Sequence, residues 1–385
     1  MGNCKCSPIE SCELFDSDPT PKAICITDFE PDCVIGKGGF GKVKKVKHKL
    51  DDKLYAMKEM LKIRVCGKKS IASVLEERNI LETLHHPLLI NMKYAFQTRS
   101  HLYLIMDLLT GGDMRYHLIN RVKFKEKETR FIVACMVLAL EYIHSNGYIH
   151  RDIKPENLVF DAEGYVHITD FGISKKMRPN NKVDTSGTPG YMAPEIMCRQ
   201  NYNYSVDYFA VGVIAFECMF QRRPFLGRTK REIRDYMCNT DVQIRQSKIP
   251  FGWSYESADF INLCIKRKKF ERIGHRGIEE VKSHAWLKDF DWEGLRNKTL
   301  KPPFTPPMKD NYDTRNSTYM FKDDYSQKSL KEVKGMMDGK IKEIDDLQKY
   351  FTNYYYDYRE RERDAFLMTP TLAKDLKGTG TKFMT

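Results

Sequence analysis

A glycine-rich break at residues 110–112 separates two stretches of the chain that differ in hydrophobic periodicity. Before the break, short alternating segments at 34–35, 43–46, 54–58 and 102–106 predict strands, and residues 70–84 have helical spacing. After it, residues 129–144 have the apolar density of a buried helix, strands are predicted at 158–160 and 166–168, and helices predominate from Ser205 to about Trp286. The pattern predicts an α+β chain with a small β-rich part and a larger helical part.

Composition excludes several classes of protein. With 385 residues, 41% of them hydrophobic, the chain can bury a large core, which argues against a disordered or small disulfide-stapled protein. The longest apolar run, 131–140, is about half the ~20 residues that a membrane-spanning helix needs. Eleven scattered cysteines without a Cys-x-x-Cys motif predict reduced thiols in the cytoplasm. A net charge of +12 suits anionic partners but does not choose among phosphates, nucleic acid and an acidic membrane.

Residues 36–43 read GKGGFGKV, a spacing that lets backbone N–H groups approach a phosphate chain closely. A dinucleotide-binding fold would place a helix after these glycines, whereas residues 42–47 alternate like a strand. We therefore predict a flap over a nucleotide, with an ordinary glycine hairpin as the alternative.

Lys58 and Glu77 are charges at positions where apolar residues are expected. Lys58 shares a strand face with Ala56 and Met60, and Glu77 shares a helix face with Val74 and Leu81. An isolated buried charge is costly, so we predict that the two pair with each other and that Lys58 also meets phosphate. The alternative is two surface side chains whose charged ends reach water.

Residues 150–157 read HRDIKPEN, and DFG follows at 170–172. Asp152 can accept a hydroxyl proton, Lys154 can reach a transferring phosphate, and Asn157 with Asp170 can hold two Mg²⁺ ions. A lysine two residues after the base indicates hydroxyl acceptors of the serine or threonine type. Asp and Asn are more often turn formers, but the order and number of matched positions argue against that interpretation.

Together with GTPGYMAPE at 187–195, these motifs resemble the eukaryotic protein kinase family, from about Phe29 to Leu287. The resemblance implies a bilobal fold with a small antiparallel lobe at 29–106 that contains one main helix, a helical lobe at 107–287, and ATP between them. The nucleotide-binding residues that it implies, including a hinge at 106–108, are Ile35, Gly36, Lys37, Gly38, Gly39, Phe40, Gly41, Val43, Ala56, Lys58, Met106, Asp107, Leu108, Asp113, Glu156, Val159 and Asp170.

The resemblance also implies contacts that hold the fold in its active arrangement. Asp207 would anchor the catalytic loop, and Arg272 would pair with Glu195. A stack across the two lobes would consist of Leu81, Met92, His150 and Phe171.

Other segments resemble the AGC type of these kinases. KSHAW at 282–286 and LKPPFTP at 300–306 look like the start of an AGC tail at 288–385, which we expect to wrap over a surface. FKDDY at 321–325 resembles the tail segment that reaches the adenine pocket, and FTNYYY at 351–356 resembles the hydrophobic motif that docks on the small lobe. Residues 106–118 are similar to the YANK group.

Three carboxylates indicate the substrate. In basophilic AGC kinases, substrate arginines are received by acids at the positions that align with Asp113, Glu156 and Glu217. Carboxylates suit this task because their pairs with guanidinium groups are directional. We therefore expect protein substrates with basic residues near the acceptor, no nucleic acid partner and a monomeric protein. The alternative is three ordinary surface acids.

Residues 1–7 read MGNCKCS and resemble an N-myristoylation signal at Gly2 with palmitoylation sites at Cys4 and Cys6. The sequence departs from the usual pattern, because position 6 is Cys and Ser follows at 7. Two lipid chains would hold the protein stably on the cytoplasmic face of a membrane, whereas one would hold it only marginally. The alternative for residues 1–28 is an unmodified flexible segment.

In AGC-type kinases the activation-loop threonine stands four residues before the Thr of Gly-Thr-Pro, and the resemblance places Asp184 at that position here. A fixed carboxylate there is expected to meet Arg151 and order the loop without phosphorylation. The alternative is that phosphorylated Thr185 does so. Tyr355 likewise stands where the hydrophobic motif often has Ser or Thr.

The sequence thus predicts an ATP- and Mg²⁺-dependent serine/threonine protein kinase with Asp152, Lys154, Lys58 and Glu77 in the catalytic roles. The rival from another class is a kinase-shaped scaffold that binds nucleotide without turnover, although no chemical residue is missing. A second rival is a phosphoinositide or small-molecule kinase, against which the segment at 187–195 argues.

Overall fold

The computed structural model describes residues 23–120, 123–307 and 347–361. Its first lobe is built on a six-stranded antiparallel sheet in the order β1-β2-β3-β5-β4-β10. The strands are β1 (Phe29–Lys37), β2 (Gly41–His48), β3 (Leu54–Leu61), β4 (Met92–Gln97), β5 (His101–Asp107) and β10 (Tyr356–Asp357). Residues from the C-terminal part of the chain thus complete the sheet of the first lobe.

The strand predicted after the glycine cluster is β2, which pairs with both β1 and β3. A Cβ atom at Gly41 would lie 1.8 Å from the carbonyl oxygen of Glu59 on β3, so only glycine fits at this crossing. The cluster therefore forms the turn of a β-hairpin, as the alternating residues that follow it indicated.

Two helices, α1 (Lys62–Gly67) and α2 (Ile71–Thr83), follow β3. Val74, Glu77, Ile80 and Leu81 of α2 are buried, so Glu77 does lie on the apolar face of this helix. The helix ends at the loop that leads into β4. Glu77 faces the sheet, where it lies next to Lys58 of β3.

The second lobe is mainly helical and begins after β5. Its helices are α3 (Met114–Asn120), α4 (Glu126–Ser145), α5 (Pro194–Met197), α6 (Ser205–Phe220), α7 (Lys230–Asn239), α8 (Tyr255–Cys264), α9 (Ile278–Lys282) and α10 (Trp292–Arg296). α4 and α6 form its centre, since nearly every residue of α6 and the whole run from Phe131 to Leu140 in α4 are buried. The predicted α+β, bilobal architecture is confirmed.

Two small sheets lie beside these helices and carry the loops of the site. β6 (Tyr148–Ile149) pairs with β9 (Lys175–Lys176), and β7 (Leu158–Phe160) pairs with β8 (Val166–Ile168). The HRDIKPEN segment thus runs between β6 and β7, while the DFG segment follows β8. The pairing brings two sequence-distant loops to one place.

No helix within the described ranges is long and apolar enough to cross a membrane. The described residues beyond 287 pack on both lobes: the Phe304 ring contacts Phe124, Phe160 and His117, and residues 347–361 lie on the first lobe. The predicted motifs at 1–7 and 321–325 lie outside the described residues.

Candidate active site

Lys58 projects from the middle strand of the first lobe towards α2. Its Nζ lies 2.5 Å from Glu77 Oε1, and both side chains are largely buried. Burial alone would lower the pKa of Lys58, but the carboxylates of Glu77 and Asp170 outweigh burial and raise this pKa above its usual value. The predicted ion pair is therefore present, with the ammonium charged and held between two acids from different lobes.

Asp170 completes this group from the second lobe. Its φ of 63° is in the left-handed region, and its Oδ1 accepts a hydrogen bond from the Gly172 N–H at 3.2 Å. Burial would raise the pKa of Asp170, yet Lys58 and the Gly172 N–H hold it below its usual value. A left-handed conformation costs energy for a residue with a side chain, so its occurrence here indicates a functional constraint.

The catalytic loop is fixed by Asp207 at the start of α6. Its carboxylate accepts hydrogen bonds from the His150 N–H at 3.0 Å, the Arg151 N–H at 2.8 Å and His144 Nε2 at 2.8 Å. Arg151 has a left-handed φ of 68°. Because Asp207 is buried and binds the backbone N–H groups of His150 and Arg151, it stabilises this strained turn, which is the anchoring role that the resemblance implied.

Asp152 lies at the centre of a hydrogen-bond network. Its Oδ2 accepts from Lys154 Nζ at 2.6 Å and from Asn157 Nδ2 at 3.1 Å, and its Oδ1 accepts from Thr188 Oγ1 at 2.7 Å. Lys154 Nζ also donates to Thr188 Oγ1 at 3.1 Å. No role for Thr188 was predicted from the sequence, although its place in GTPGYMAPE was the available signal.

The fit of a metal ion can be judged from Asn157 and Asp170. The amide nitrogen of Asn157 is engaged by Asp152, and within the described residues its Oδ1 has no hydrogen-bond partner, so this oxygen is available as a ligand. The same part of the chain contains no cluster of three or more His, Cys, Asp or Glu side chains that could bind a metal by themselves. Such a site suits Mg²⁺, which is commonly held by one or two side-chain oxygens together with phosphates.

The remaining predicted nucleotide residues line the hairpin and the junction between lobes. Ile35, Gly36 and Lys37 are in β1, while Gly38, Gly39 and Phe40 form the turn. The Gly38 N–H donates a hydrogen bond to the Gly41 carbonyl oxygen at 2.9 Å and so closes this turn. In the sheet Val43 is opposite Lys58, and Ala56 is opposite Met106. Asp107 and Leu108 follow at the end of β5, and Val159 forms an isolated bridge with Asp113.

Of the other contacts implied by the resemblance, those of His150 with Phe171 and of Arg272 with Glu195 are present. Leu81, Met92, His150 and Phe171 are all buried, and the rings of His150 and Phe171 are 5.3 Å apart. Arg272 Nη1 and Nη2 donate to the two oxygens of Glu195 at 2.5 and 2.9 Å. These contacts tie the GTPGYMAPE segment and the DFG segment to the core.

Two of the three acids predicted to receive substrate arginines already pair with an arginine side chain of this chain. Arg115 Nε donates to Glu156 Oε1 at 2.9 Å, and Arg115 Nη1 donates to Glu217 Oε1 at 2.7 Å. The third acid, Asp113, accepts a hydrogen bond from the Tyr116 N–H at 2.8 Å. These contacts of Arg115 were not predicted, although Arg115 lies only two residues after Asp113 in the sequence.

The expected contact between Asp184 and Arg151 is not formed. Arg151 donates instead to the carbonyl oxygen of Ile173 and to Tyr202 Oη, and within the described residues it makes no ion pair with Asp184. Tyr202 Oη donates to the backbone oxygen of Asp184 at 3.0 Å. The Arg151 guanidinium is thus already satisfied by neutral acceptors, and the Asp184 backbone is held through a tyrosine.

The hydrophobic motif at 351–356 is docked on the first lobe. Phe351 and Tyr354 are buried, and Arg78 on α2 donates to the backbone oxygens of Tyr354 at 3.2 Å and Tyr355 at 2.7 Å. Tyr355 Oη accepts a hydrogen bond from the Ile24 N–H at 3.2 Å. Because Arg78 adjoins Glu77, the docked tail is connected directly to the helix that positions Lys58.

Comparison with known proteins agrees with this geometry. Residues 29–287 match the family described as protein kinase domain. The chain is 35% identical to "Protein kinase 2" of Dictyostelium discoideum over 81% of this chain and 64% of that protein, so the match spans less than two thirds of that relative. It is 34% identical to "Serine/threonine-protein kinase sgk-1" of Caenorhabditis elegans, over 82% of this chain and 68% of that protein. A similar match, 34% over 80% of this chain and 70% of the relative, is "Serine/threonine-protein kinase Sgk1" of Danio rerio.

The YANK assignment stays a prediction, whereas the broader assignment rests on the family match, on these relatives and on the site described above. The chain therefore belongs to the eukaryotic protein kinase family, and within it to the AGC type.

Proposed function

We propose that this protein transfers the γ-phosphoryl group of ATP to serine or threonine hydroxyls of protein substrates, with Mg²⁺ as cofactor. The observation that carries the proposal is the network at Asp152, where Oδ1 accepts a hydrogen bond from a threonine hydroxyl at 2.7 Å. A substrate hydroxyl that replaced Thr188 Oγ1 would have the geometry that a general base requires.

Each of the other side chains has a role in this reaction. Lys58, held by Glu77, would bind the α- and β-phosphates, and Lys154 would neutralise charge on the transferring group. Mg²⁺, when bound by Asn157 and Asp170, would neutralise phosphate charge. The glycine turn would cover the phosphates and exclude water. Most of the rate enhancement is then expected from positioning and electrostatics.

The test is peptide phosphorylation by purified protein with ATP and Mg²⁺. Asp152→Asn removes the base but keeps the size of the side chain, so we expect kcat to fall by about a thousandfold while the KM for ATP changes little. A wild-type rate equal to that of Asp152→Asn on every peptide would support the scaffold alternative. Activity confined to phosphoinositide vesicles would support the lipid kinase alternative.

For specificity, we propose a preference for basic residues near the acceptor, supported chiefly by Asp113. Its carboxylate is partly exposed and lies beside Val159 at the junction of the lobes. Asp113→Asn keeps an acceptor for the Tyr116 N–H but removes the charge. We expect it to lower kcat/KM for arginine-containing peptides by roughly tenfold, since a hydrogen bond to a charged group contributes ~1.5–3 kcal/mol. An equal loss on arginine-free peptides would contradict this preference.

For location, we propose a monomer on the cytoplasmic face of a membrane, held by acyl chains on Gly2 and on Cys4 or Cys6. The +12 charge would add attraction to an anionic leaflet. Gly2→Ala should move the protein from the membrane to the soluble fraction of cells, with Ser7→Ala as control. Unchanged fractionation of Gly2→Ala would argue against an N-terminal anchor.

A further inference from the structure

Arg115 connects three elements around the catalytic loop. It lies in α3, and its guanidinium binds Glu156 in the turn after Lys154, Glu217 in α6, and the hydroxyl of Tyr191. The side chains of Arg115 and Glu217 are 19% and 10% exposed, so the ion pair between them is largely withdrawn from water. Partly buried hydrogen bonds between two charged groups, such as these, are stronger than those between neutral groups.

The cluster borders the place where a substrate hydroxyl must approach. Glu156 is flanked by Lys154 and Asn157, both of which bind Asp152. Tyr191 stands three residues after Thr188, whose hydroxyl binds the same carboxylate. The cluster is therefore fixed to the catalytic base from two sides, and a peptide at that base would run beside it.

Most carboxylate oxygens of Glu217 and Glu156 already accept a hydrogen bond from within the chain, which disfavours binding of a second guanidinium. Glu217 uses Oε1 for Arg115 and Oε2 for Tyr191 Oη, which donates at 2.6 Å. Glu156 uses Oε1 for Arg115, and its Oε2 is buried and has no partner in the described residues. A substrate arginine would therefore meet one carboxylate whose two oxygens both already accept hydrogen bonds and one whose remaining oxygen is covered.

The positive charge of Arg115 also disfavours a second guanidinium beside Glu156 and Glu217. The ion pairs raise the pKa of Arg115 against the effect of burial, so the guanidinium is charged throughout the physiological range. A second guanidinium, that of Arg223, lies 5.9 Å from the Tyr191 ring, close to the 6.0 Å found for Arg115. The Arg115 charge thus offsets part of the negative charge of the two glutamates, whereas Arg223 donates to the Pro189 oxygen and pairs with neither glutamate in the described structure.

We propose that Arg115 is a specificity-determining residue: it fills the Glu156–Glu217 subsite from within the chain, so that this subsite does not select a substrate arginine. The proposal rests on the protein kinase function proposed above and deepens it. Any preference for basic substrates then depends on Asp113.

The experiment scans peptide libraries in which arginine or alanine is fixed at one position at a time around the acceptor. For the wild type we expect no arginine preference that depends on Glu217. Arg115→Ala should create a new preference at one position, with kcat/KM for the arginine peptide rising about tenfold to a hundredfold over its alanine counterpart. The gain should appear in KM and not in kcat, because the subsite binds the peptide without touching the reacting atoms.

Arg223→Ala is the matched control, since Arg223 lies equally close to Tyr191 but forms no ion pair with either glutamate in the described structure. It should leave the arginine preference at that position unchanged. Arg115→Lys keeps the charge, and thus the fold, but cannot bridge both carboxylates, so it should show a smaller gain of the same kind. Millimolar guanidinium ion should compete with arginine peptides for Arg115→Ala and not for the wild type.

Two results would overturn the proposal. One is an unchanged arginine preference in Arg115→Ala and Arg115→Lys when both melt near the wild-type temperature. The other is a wild-type preference of tenfold or more that Glu217→Gln abolishes, which would mean that Arg115 yields its place to the substrate. Fluorescence anisotropy of the same peptides measures the preference without turnover. It therefore separates failure of this inference from failure of the kinase function, which wild-type inactivity would show.

Discussion

The ammonium of Lys58 pairs with Glu77 and is further stabilised by the charge of Asp170, a carboxylate of the other lobe. Lys58→Met would leave Glu77 buried without its partner and remove the cation expected at the phosphates. We expect kcat/KM for phosphoryl transfer to fall by about a hundredfold or more. Lys44→Met is the control, because Lys44 pairs with Glu59 on the neighbouring strand at a more exposed place, where an ion pair contributes ~1 kcal/mol at most. Equal losses in the two variants would contradict the assigned role.

His86 provides a test of pH dependence at one residue. Burial, together with the charges of Arg296, His167 and Lys298, lowers the pKa of His86 to about 4. The unfolded chain, with a pKa near 6.5, therefore binds this proton more readily than the folded protein. His86 thus makes the free energy of unfolding fall as the pH drops from 6.5 towards 4, by at most ~1.4 kcal/mol per unit.

His86→Asn isolates this contribution, because the asparagine oxygen can still accept the Leu88 N–H that His86 Nδ1 accepts at 3.1 Å. Urea unfolding at several pH values should give a shallower decline for the variant between pH 6.5 and 4. Parallel curves for the two proteins would show that His86 takes up its proton equally in both states.

Among the elements, the segment that carries Asp184 depends on Tyr202 for its position. Tyr202 Oη accepts from Arg151 Nη1 at 3.0 Å and donates to the Asp184 oxygen, so Tyr202→Phe would leave two polar groups unsatisfied. We expect faster hydrogen exchange over residues 178–190 and a lower kcat, with ~1–3 kcal/mol lost at each buried group left without a partner.

Asp184→Ala is the matched variant, since it keeps the backbone oxygen that Tyr202 binds. In phosphate-free protein from bacteria, this variant and Thr185→Ala should both retain most activity. Loss of activity in Asp184→Ala with Tyr202→Phe unaffected would restore the carboxylate role that the sequence suggested. Loss in Thr185→Ala alone would identify that threonine as the switch.

On the scale of the whole molecule, residues 347–361 are part of the first lobe. Arg78 joins α2 to the backbone of Tyr354 and Tyr355, and Gln97 Nε2 donates to the Phe351 oxygen at 2.7 Å. Arg78→Ala should free residues 351–358 to exchange hydrogen faster and lower the free energy of unfolding by ~1.5–3 kcal/mol. Activity should also fall, because Arg78 adjoins Glu77.

Arg231→Ala controls for the loss of an arginine on a helix, since Arg231 is exposed and pairs only weakly with Asp235. Its exchange rates and stability should equal those of the wild type. If Arg78→Ala leaves exchange at 351–358 unchanged, the apolar contacts of Phe351 and Tyr354 hold the tail without the arginine.

The sequence by itself determined what is local or repeated along the chain: the strand after the glycines, the buried helix at 129–144 and the short strands at 158–160 and 166–168. It also predicted the Lys58–Glu77 pair, because a charge on an apolar face requires a partner. Contacts between distant segments were decided only by the tertiary structure. Arg115 meets Glu217 across 102 positions, and Tyr202 takes the acceptor place assigned to Asp184. Hydrogen bonds form with whichever group packing brings within reach, and the spacing of residues along the chain does not encode that.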